Sequence, residues 1–220
     1  MFTEYIVAMV SFAITVGLGL FLIPILIRWK FGQTVRSDGP KRHLKKAGTP
    51  TMGGIIFLPA IAITALFMTN RSSPLIVSII SMIGFGLIGF IDDFIIIAKN
   101  RSLGLRANQK LLFQLILSFG ITLYSYNLYF RTGSILIPFI SQKIHLGILY
   151  IPLTIFVVLG TINSVNLADG LDGLVAGIVA IISFFYTIVL KMLGHGDMFL
   201  FSAAITGACI GFLLFNRHPA

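Results

Sequence analysis

Three clusters of polar residues, set in an otherwise apolar chain, carry the groups that phosphate chemistry needs. Asp92 and Asp93 close the run Gly84-Phe-Gly-Leu-Ile-Gly-Phe-Ile-Asp-Asp93. Ionised carboxylates at the edge of a hydrocarbon layer are costly, and adjacent ones repel each other. A divalent cation or a nearby lysine relieves both costs. The plainer alternative is that the pair reaches water or pairs with Lys99 and Arg101. The second cluster is Asn163-Ser-Val-Asn-Leu-Ala-Asp-Gly-Leu-Asp-Gly173. Asn163, Asn166, Asp169 and Asp172 recur every third residue, which keeps them near one face of a helix. Gly170 and Gly173 would let a ligand approach the backbone closely. A helix starting after Gly173 would turn its N-terminal amides toward phosphate. The third cluster is His43-Leu-Lys-Lys-Ala-Gly-Thr-Pro-Thr-Met-Gly-Gly54. Lys45 and Lys46 offer positive charge to phosphate, Thr49 and Thr51 offer hydroxyls, and Gly53-Gly54 opens the next helix.

The elements that must position these groups follow from composition. Of 220 residues, 57% are hydrophobic and 10% charged, against roughly a quarter charged in a soluble domain. No single soluble core could hide that much apolar surface, whereas lipid accepts it. Seven apolar segments, about 6–27, 52–69, 75–97, 111–128, 148–166, 174–193 and 198–215, are near the ~20 residues that cross a bilayer. Backbone groups in lipid must be satisfied within the segment, so each span is expected to be a helix. The reading is therefore all-α: one integral membrane domain over residues 1–220, a polytopic helical bundle with no soluble domain and no internal repeat. The lone Cys209 lies in an apolar run, which excludes a disulfide framework and a Cys-based zinc site.

Loop charges give an orientation. Twelve of the sixteen Lys and Arg residues fall in the loops after spans one and three and after span seven; Arg71, Arg131, Lys143 and Lys191 are on the other side. By the positive-inside rule the N-terminus is expected outside and the chain ends in the cytoplasm. Basic residues distributed this way speak for topology rather than for nucleic acid. Five of the seven acids, Asp38, Asp92, Asp93, Asp169 and Asp172, share the basic side. Acids contribute little to topology, so these are functional candidates. Carboxylates, lysines and Gly-rich turns on one face suit a phosphate-bearing substrate held through Mg²⁺, which prefers a few carboxylates plus phosphate oxygens. Phosphoryl transfer needs charge neutralisation and in-line positioning more than elaborate protein chemistry. A lipid-carrier transporter is the other class that places acids in spans, but its acids belong near mid-bilayer in broken helices.

His43…Gly-Thr-Pro-Thr-Met-Gly-Gly54, Asp92-Asp93-Phe94 and Asn163…Asn-Leu-Ala-Asp-Gly-Leu-Asp-Gly-Leu174 together resemble the phospho-N-acetylmuramoyl-pentapeptide transferases. These belong to the polyprenyl-phosphate N-acetylhexosamine-1-phosphate transferase superfamily. The likeness runs along the whole chain. The related GlcNAc-1-phosphate transferases share the Asp pair and a similar Asn/Asp/Gly run, but their first motif usually lacks the Thr-Pro-Thr-Met form. The resemblance implies about ten transmembrane helices, of which seven lie in this chain, with the C-terminal part of the family fold beyond residue 220. It implies a homodimer in the bacterial cytoplasmic membrane and a Mg²⁺-dependent reaction at the cytoplasmic face. UDP-MurNAc-pentapeptide and undecaprenyl phosphate would give lipid I and UMP, a step of peptidoglycan synthesis.

Matched by position, Asp92 is the base on the lipid phosphate with Asp93 beside it, and both are candidate metal ligands. Lys46, Thr51, Asn163, Asn166 and Asp169 would line the nucleotide and diphosphate site. Gly170, Leu171 and Asp172 would approach the uracil, and Asn216 would sit at the inner end of its helix. The family often has a lysine three or four residues after the second Asp, where this chain has Ile96-Ile97; Lys99 is the nearest base. The family's Met-Gly-Asp motif, whose Asp is a main Mg²⁺ ligand, would follow residue 220. Nothing in the spacing separates a one-step attack from a route through an enzyme carboxylate.

Overall fold

A computed structural model describes residues 3–28, 52–99, 103–128, 133–137 and 142–217. Lys46, Thr51 and the rest of the 43–51 motif lie outside the described residues. The described residues form seven α-helices: α1 (Thr3–Arg28), α2 (Gly54–Met68), α3 (Ser73–Ala98), α4 (Ala107–Leu128), α5 (Tyr150–Ala168), α6 (Leu174–Met192) and α7 (Gly196–Asn216). Each coincides with one of the seven apolar segments. Six of these helical stretches are long and apolar enough to cross a membrane. The protein is an all-α, multi-pass membrane protein.

The exception is α2, at 15 residues. At 1.5 Å per residue it is roughly 22 Å long, short of the ~30 Å hydrocarbon layer. The expected span 52–69 loses its ends for a local reason. Met52 takes a left-handed φ of 68°, which a helix cannot continue, and Thr69 is extended. A second departure is the connection between α4 and α5, read from sequence as a plain loop. There β1 (Ser134–Leu136) pairs antiparallel with β2 (Lys143–His145), Ser134 opposite His145. Three-residue strands carry too little alternation to stand out from loop sequence.

The chain divides into two compact units: Met1–Leu105 with Ala168–Ala220, and Arg106–Leu167. The first is organised around α7, which packs against α1, α2 and α6. In lipid, helices associate through close packing and polar contacts rather than through a hydrophobic driving force between them. The sequence of α7 meets both needs. Ala203, Ala204, Gly207, Ala208 and Gly211 are buried, and a Cβ on Gly207 would meet the Ala8 carbonyl of α1. Ser11 donates to the Ala204 carbonyl at 2.7 Å. Toward α6, the Ser183 and Thr206 hydroxyls lie 2.8 Å apart, and Ser202 donates to the Ser183 carbonyl at 2.8 Å. Cys209 is 6% exposed and packs in this interior as a small apolar side chain.

The second unit holds α4, the hairpin and α5. The Ser125 and Tyr150 hydroxyls, 2.8 Å apart, tie one end of the helix pair. The Tyr126 and Tyr150 rings pack there at 6.1 Å. The other end carries two amide and ammonium contacts, described below.

Candidate active site

The first unit gathers its candidate residues at one end of the bundle. Gly53, the N-cap of α2, packs on Phe212 near the end of α7, and the Phe57 and Phe212 rings lie 5.1 Å apart. Gly173, the N-cap of α6, has φ 74°. A Cβ there would meet the Asn216 carbonyl and Leu213 at 3.3 Å. A left-handed turn pressed against the end of α7 is thus by itself a reason for Gly173, separate from the ligand approach suggested by the sequence. Gly170 fits that expectation better, because a Cβ on it would meet nothing within 4 Å. Asn216 is the last residue of α7 and half-buried.

Asp92 and Asp93 sit in the last two turns of α3, both half-buried. They are not merely snorkelling into water. Asp92 Oδ1 accepts the Leu105 N–H at 2.7 Å, and Asp93 Oδ2 accepts the Met52 N–H at 3.3 Å. Successive helical positions diverge by about 100°, so neighbouring side chains do not face each other. Here that divergence sends one carboxylate to the segment entering α4 and the other to the segment entering α2. Met52, 7% exposed, holds its left-handed conformation at the second contact. Such backbone conformations cost about 1–3 kcal/mol and persist where the surroundings over-determine them.

The run Asn163–Gly173 is only partly helical. Asn163 and Asn166 occupy the last turns of α5, which ends at Ala168. Asp169, Gly170, Leu171, Asp172 and Gly173 then form the turn into α6. The every-third-residue stripe therefore stops after Asn166. Asp169, Gly170 and Leu171 are exposed and Asp172 is half-buried. The Leu174 N–H is taken by the Leu171 carbonyl at 3.2 Å, and the Gly177 N–H by the Gly173 carbonyl at 2.8 Å. Asp169–Gly173 belongs to the first unit, and Asn163 and Asn166 to the second.

Within the second unit the two asparagines have partners that sequence reading passed over. Asn163 Nδ2 donates to Gln114 Oε1 at 3.0 Å and to the Leu159 carbonyl at 2.8 Å. Lys110 Nζ donates to Asn166 Oδ1 at 3.3 Å. Lys110 and Gln114 are four apart on α4, hence on one face, and Gln114 is only 2% exposed. Lys110 was read as a topogenic charge; the signal missed was a Gln one turn into an apolar span, where an unpaired amide is costly.

No group of three or more His, Cys, Asp or Glu suited to a metal occurs among the described residues. Asp92 Oδ1 and Asp93 Oδ2 are directed to different segments. Their chemistry still fits Mg²⁺ in its usual manner, through one or two carboxylates with substrate phosphates and water completing the octahedron. Lys99 is exposed, and its N–H caps α3 by donating to the Ile95 carbonyl at 3.1 Å.

Comparison with known proteins adds identity to this geometry. Residues 75–220 match the family Glycosyl transferase family 4. Residues 46–58 match phospho-N-acetylmuramoyl-pentapeptide-transferase signature 1, the segment whose Met52 docks on Asp93. The chain is 47% identical over 214 residues to a phospho-N-acetylmuramoyl-pentapeptide-transferase of Clostridioides difficile strain 630, covering 97% of this chain and 66% of that one. It is 46% identical to the protein of that name from Caldanaerobacter subterraneus, covering 96% and 66%. The namesake from Desulfitobacterium hafniense is 45% identical over 230 residues, covering 98% and 68%. The chain thus spans about two thirds of the length of these curated relatives. With that identity along almost all of its own length, the chain belongs to the phospho-N-acetylmuramoyl-pentapeptide transferase family.

Proposed function

We propose that the protein of which these residues are part transfers phospho-MurNAc-pentapeptide from UDP-MurNAc-pentapeptide to undecaprenyl phosphate. The products are lipid I and UMP. The observation that carries the reading is the docking of the family's signature segment, through the Met52 N–H, onto the Asp93 carboxylate beside Asp92. Two motifs far apart in sequence meet there at the end of a membrane helix. A lipid phosphate and a water-soluble nucleotide could both reach such a boundary.

Overall, an oxygen of the lipid phosphate bonds to the β-phosphorus of the sugar nucleotide. The bond from that phosphorus to the bridging oxygen breaks, and UMP leaves. Asp92 holds or takes the proton of the attacking phosphate. A positioned base of this kind typically supplies 10²–10⁴-fold in rate. Mg²⁺, held by one of the acidic side chains together with substrate oxygens, would neutralise charge on the diphosphate. The exposed Asp169–Leu171 turn and Asp172 offer acceptors and open backbone to the uracil. Within the second unit, Asn166 and Lys110 are a donor pair whose chemistry suits a phosphate oxygen. The same reading includes a homodimer, as the sequence resemblance implies, and a cytoplasmic-facing Asp92 end, as the loop charges imply.

The test is UMP release by the full-length protein with undecaprenyl phosphate and Mg²⁺, offering UDP-MurNAc-pentapeptide and UDP-GlcNAc in parallel. Turnover of the first alone is expected. Equal turnover of UDP-GlcNAc would move the protein to the GlcNAc-1-phosphate transferases, and no turnover of either would favour a lipid-carrier transporter.

A further inference from the structure

We infer that Gly104 is a positioning residue for Asp92, an inference that rests on the reaction proposed above. Gly104 is buried in the segment 103–105 that leads toward α4. A Cβ added there would collide with Asp92 Oδ1. It would also lie 2.6 Å from the Asp92 main-chain carbonyl and 2.9 Å from its Cγ. The two collisions differ in consequence. A carboxylate at the end of a short side chain can rotate away, but a helix carbonyl cannot. Any side chain at position 104 must therefore lift the whole segment off α3. The next residue along is Leu105, whose N–H holds Asp92 Oδ1 at 2.7 Å. Lifting the segment by even a few tenths of an ångström weakens that bond and loosens the orientation it gives the carboxylate.

The need for glycine here is thus one of close approach and not of backbone freedom, since Gly104 does not have a positive φ. Asp92 is aimed by a backbone donor that only a glycine neighbour can deliver. Catalytic geometry tolerates little: a misplacement of about 1 Å can cost about 10²-fold in rate. Neighbouring Leu103 is 60% exposed and serves as the control position, since truncating it leaves the Gly104 approach intact.

The experiment is a double-mutant cycle on the full-length protein with Gly104→Ala, Asp92→Asn and the combination. Turnover and uridine-nucleotide binding are measured for each. Gly104→Ala is expected to lower kcat by about 10–100-fold, with nucleotide binding within twofold of the unsubstituted protein and Leu103→Ala unaffected. The distinguishing readout is coupling. Groups that act through one another are non-additive, whereas independent defects multiply. In the Asp92→Asn background, Gly104→Ala should cost less than threefold more, because an amide that is no base has no aim to lose. A full multiplicative loss in that background would overturn the assignment and leave Gly104 a residue of loop stability alone. Unchanged kcat in Gly104→Ala would overturn it as well. Failure of the unsubstituted protein to turn over would instead sink the proposed reaction, and that control is read first.

Discussion

The two ends of the first unit use the same device, a carboxylate accepting backbone N–H groups, in different settings. At one end Asp197, in the first turn of α7, accepts from Asn70 at 3.1 Å and from Ser72 at 2.8 Å. It is 8% exposed, and both donors belong to the one turn that joins α2 to α3. At the other end Asp92 and Asp93 are half-buried, and each takes its N–H from a different segment. At the Asp197 end Arg71 Nε donates to the Leu66 carbonyl at 2.9 Å, and Lys191 pairs with Glu4, both as exposed contacts. Around Asp92 and Asp93 stand a strained Met52 and a glycine packed so tightly that no Cβ fits. One carboxylate fixes one turn and is then spent. The other two hold the Leu105 and Met52 segments while remaining partly accessible, which is what a reacting group needs.

The comparison can be broken in several places. The largest effect on stability belongs to Asp197→Ala, which removes the acceptor of two part-buried backbone hydrogen bonds. A stranded donor costs about 1–3 kcal/mol, so the melting temperature in detergent should fall by several degrees. Turnover per folded molecule should be unchanged; a specific loss of kcat would mean that the two ends are coupled. The next test asks which end faces which compartment. By the positive-inside rule the loop charges predict a cytoplasmic Asp92 end. A cysteine at exposed Ser73 should react with an impermeant thiol reagent added outside intact cells, and one at exposed Leu103 should not. The reverse pattern would invert the orientation. Gly104, on the same segment, is unsuitable for a probe because of its contact with Asp92. The smallest effect is expected from Glu4→Gln. Lys191 is 46% exposed in that pair, and water and salt screen such contacts to well under about 1 kcal/mol. A drop as large as that of Asp197→Ala would show that the ion pair closes this end after all.

Much of this was legible in the sequence because lipid enforces it. A helix that must satisfy its backbone in hydrocarbon leaves an unbroken apolar run, and all seven runs became helices. The Asp92–Asp93 pair stood out for the same reason, as charge where charge is costly. What escaped were features set by tertiary contact. The start of α2 depends on Met52 giving its N–H to Asp93, which no local pattern announces. The role of Gly173 depends on the Asn216 carbonyl, 43 positions away in the chain. Asp197 reads as an ordinary acid near a helix start, and only its two partners reveal a latch. Gln114 and Lys110 acquire meaning from asparagines on a different helix.

The central claim is that the Asp92 end does chemistry while the Asp197 end only holds the fold. Asparagine is the informative substitution at both places, because its side-chain oxygen still accepts a backbone N–H while the basic charge is lost. Turnover and uridine-nucleotide binding should be measured side by side on full-length Asp92→Asn and Asp197→Asn. The account predicts a turnover loss of about 10²–10⁴-fold for Asp92→Asn, with nucleotide binding nearly intact, and near-normal turnover for Asp197→Asn. Near-normal turnover in Asp92→Asn would contradict it and leave Asp92 as a clasp on the Leu105 segment and nothing more.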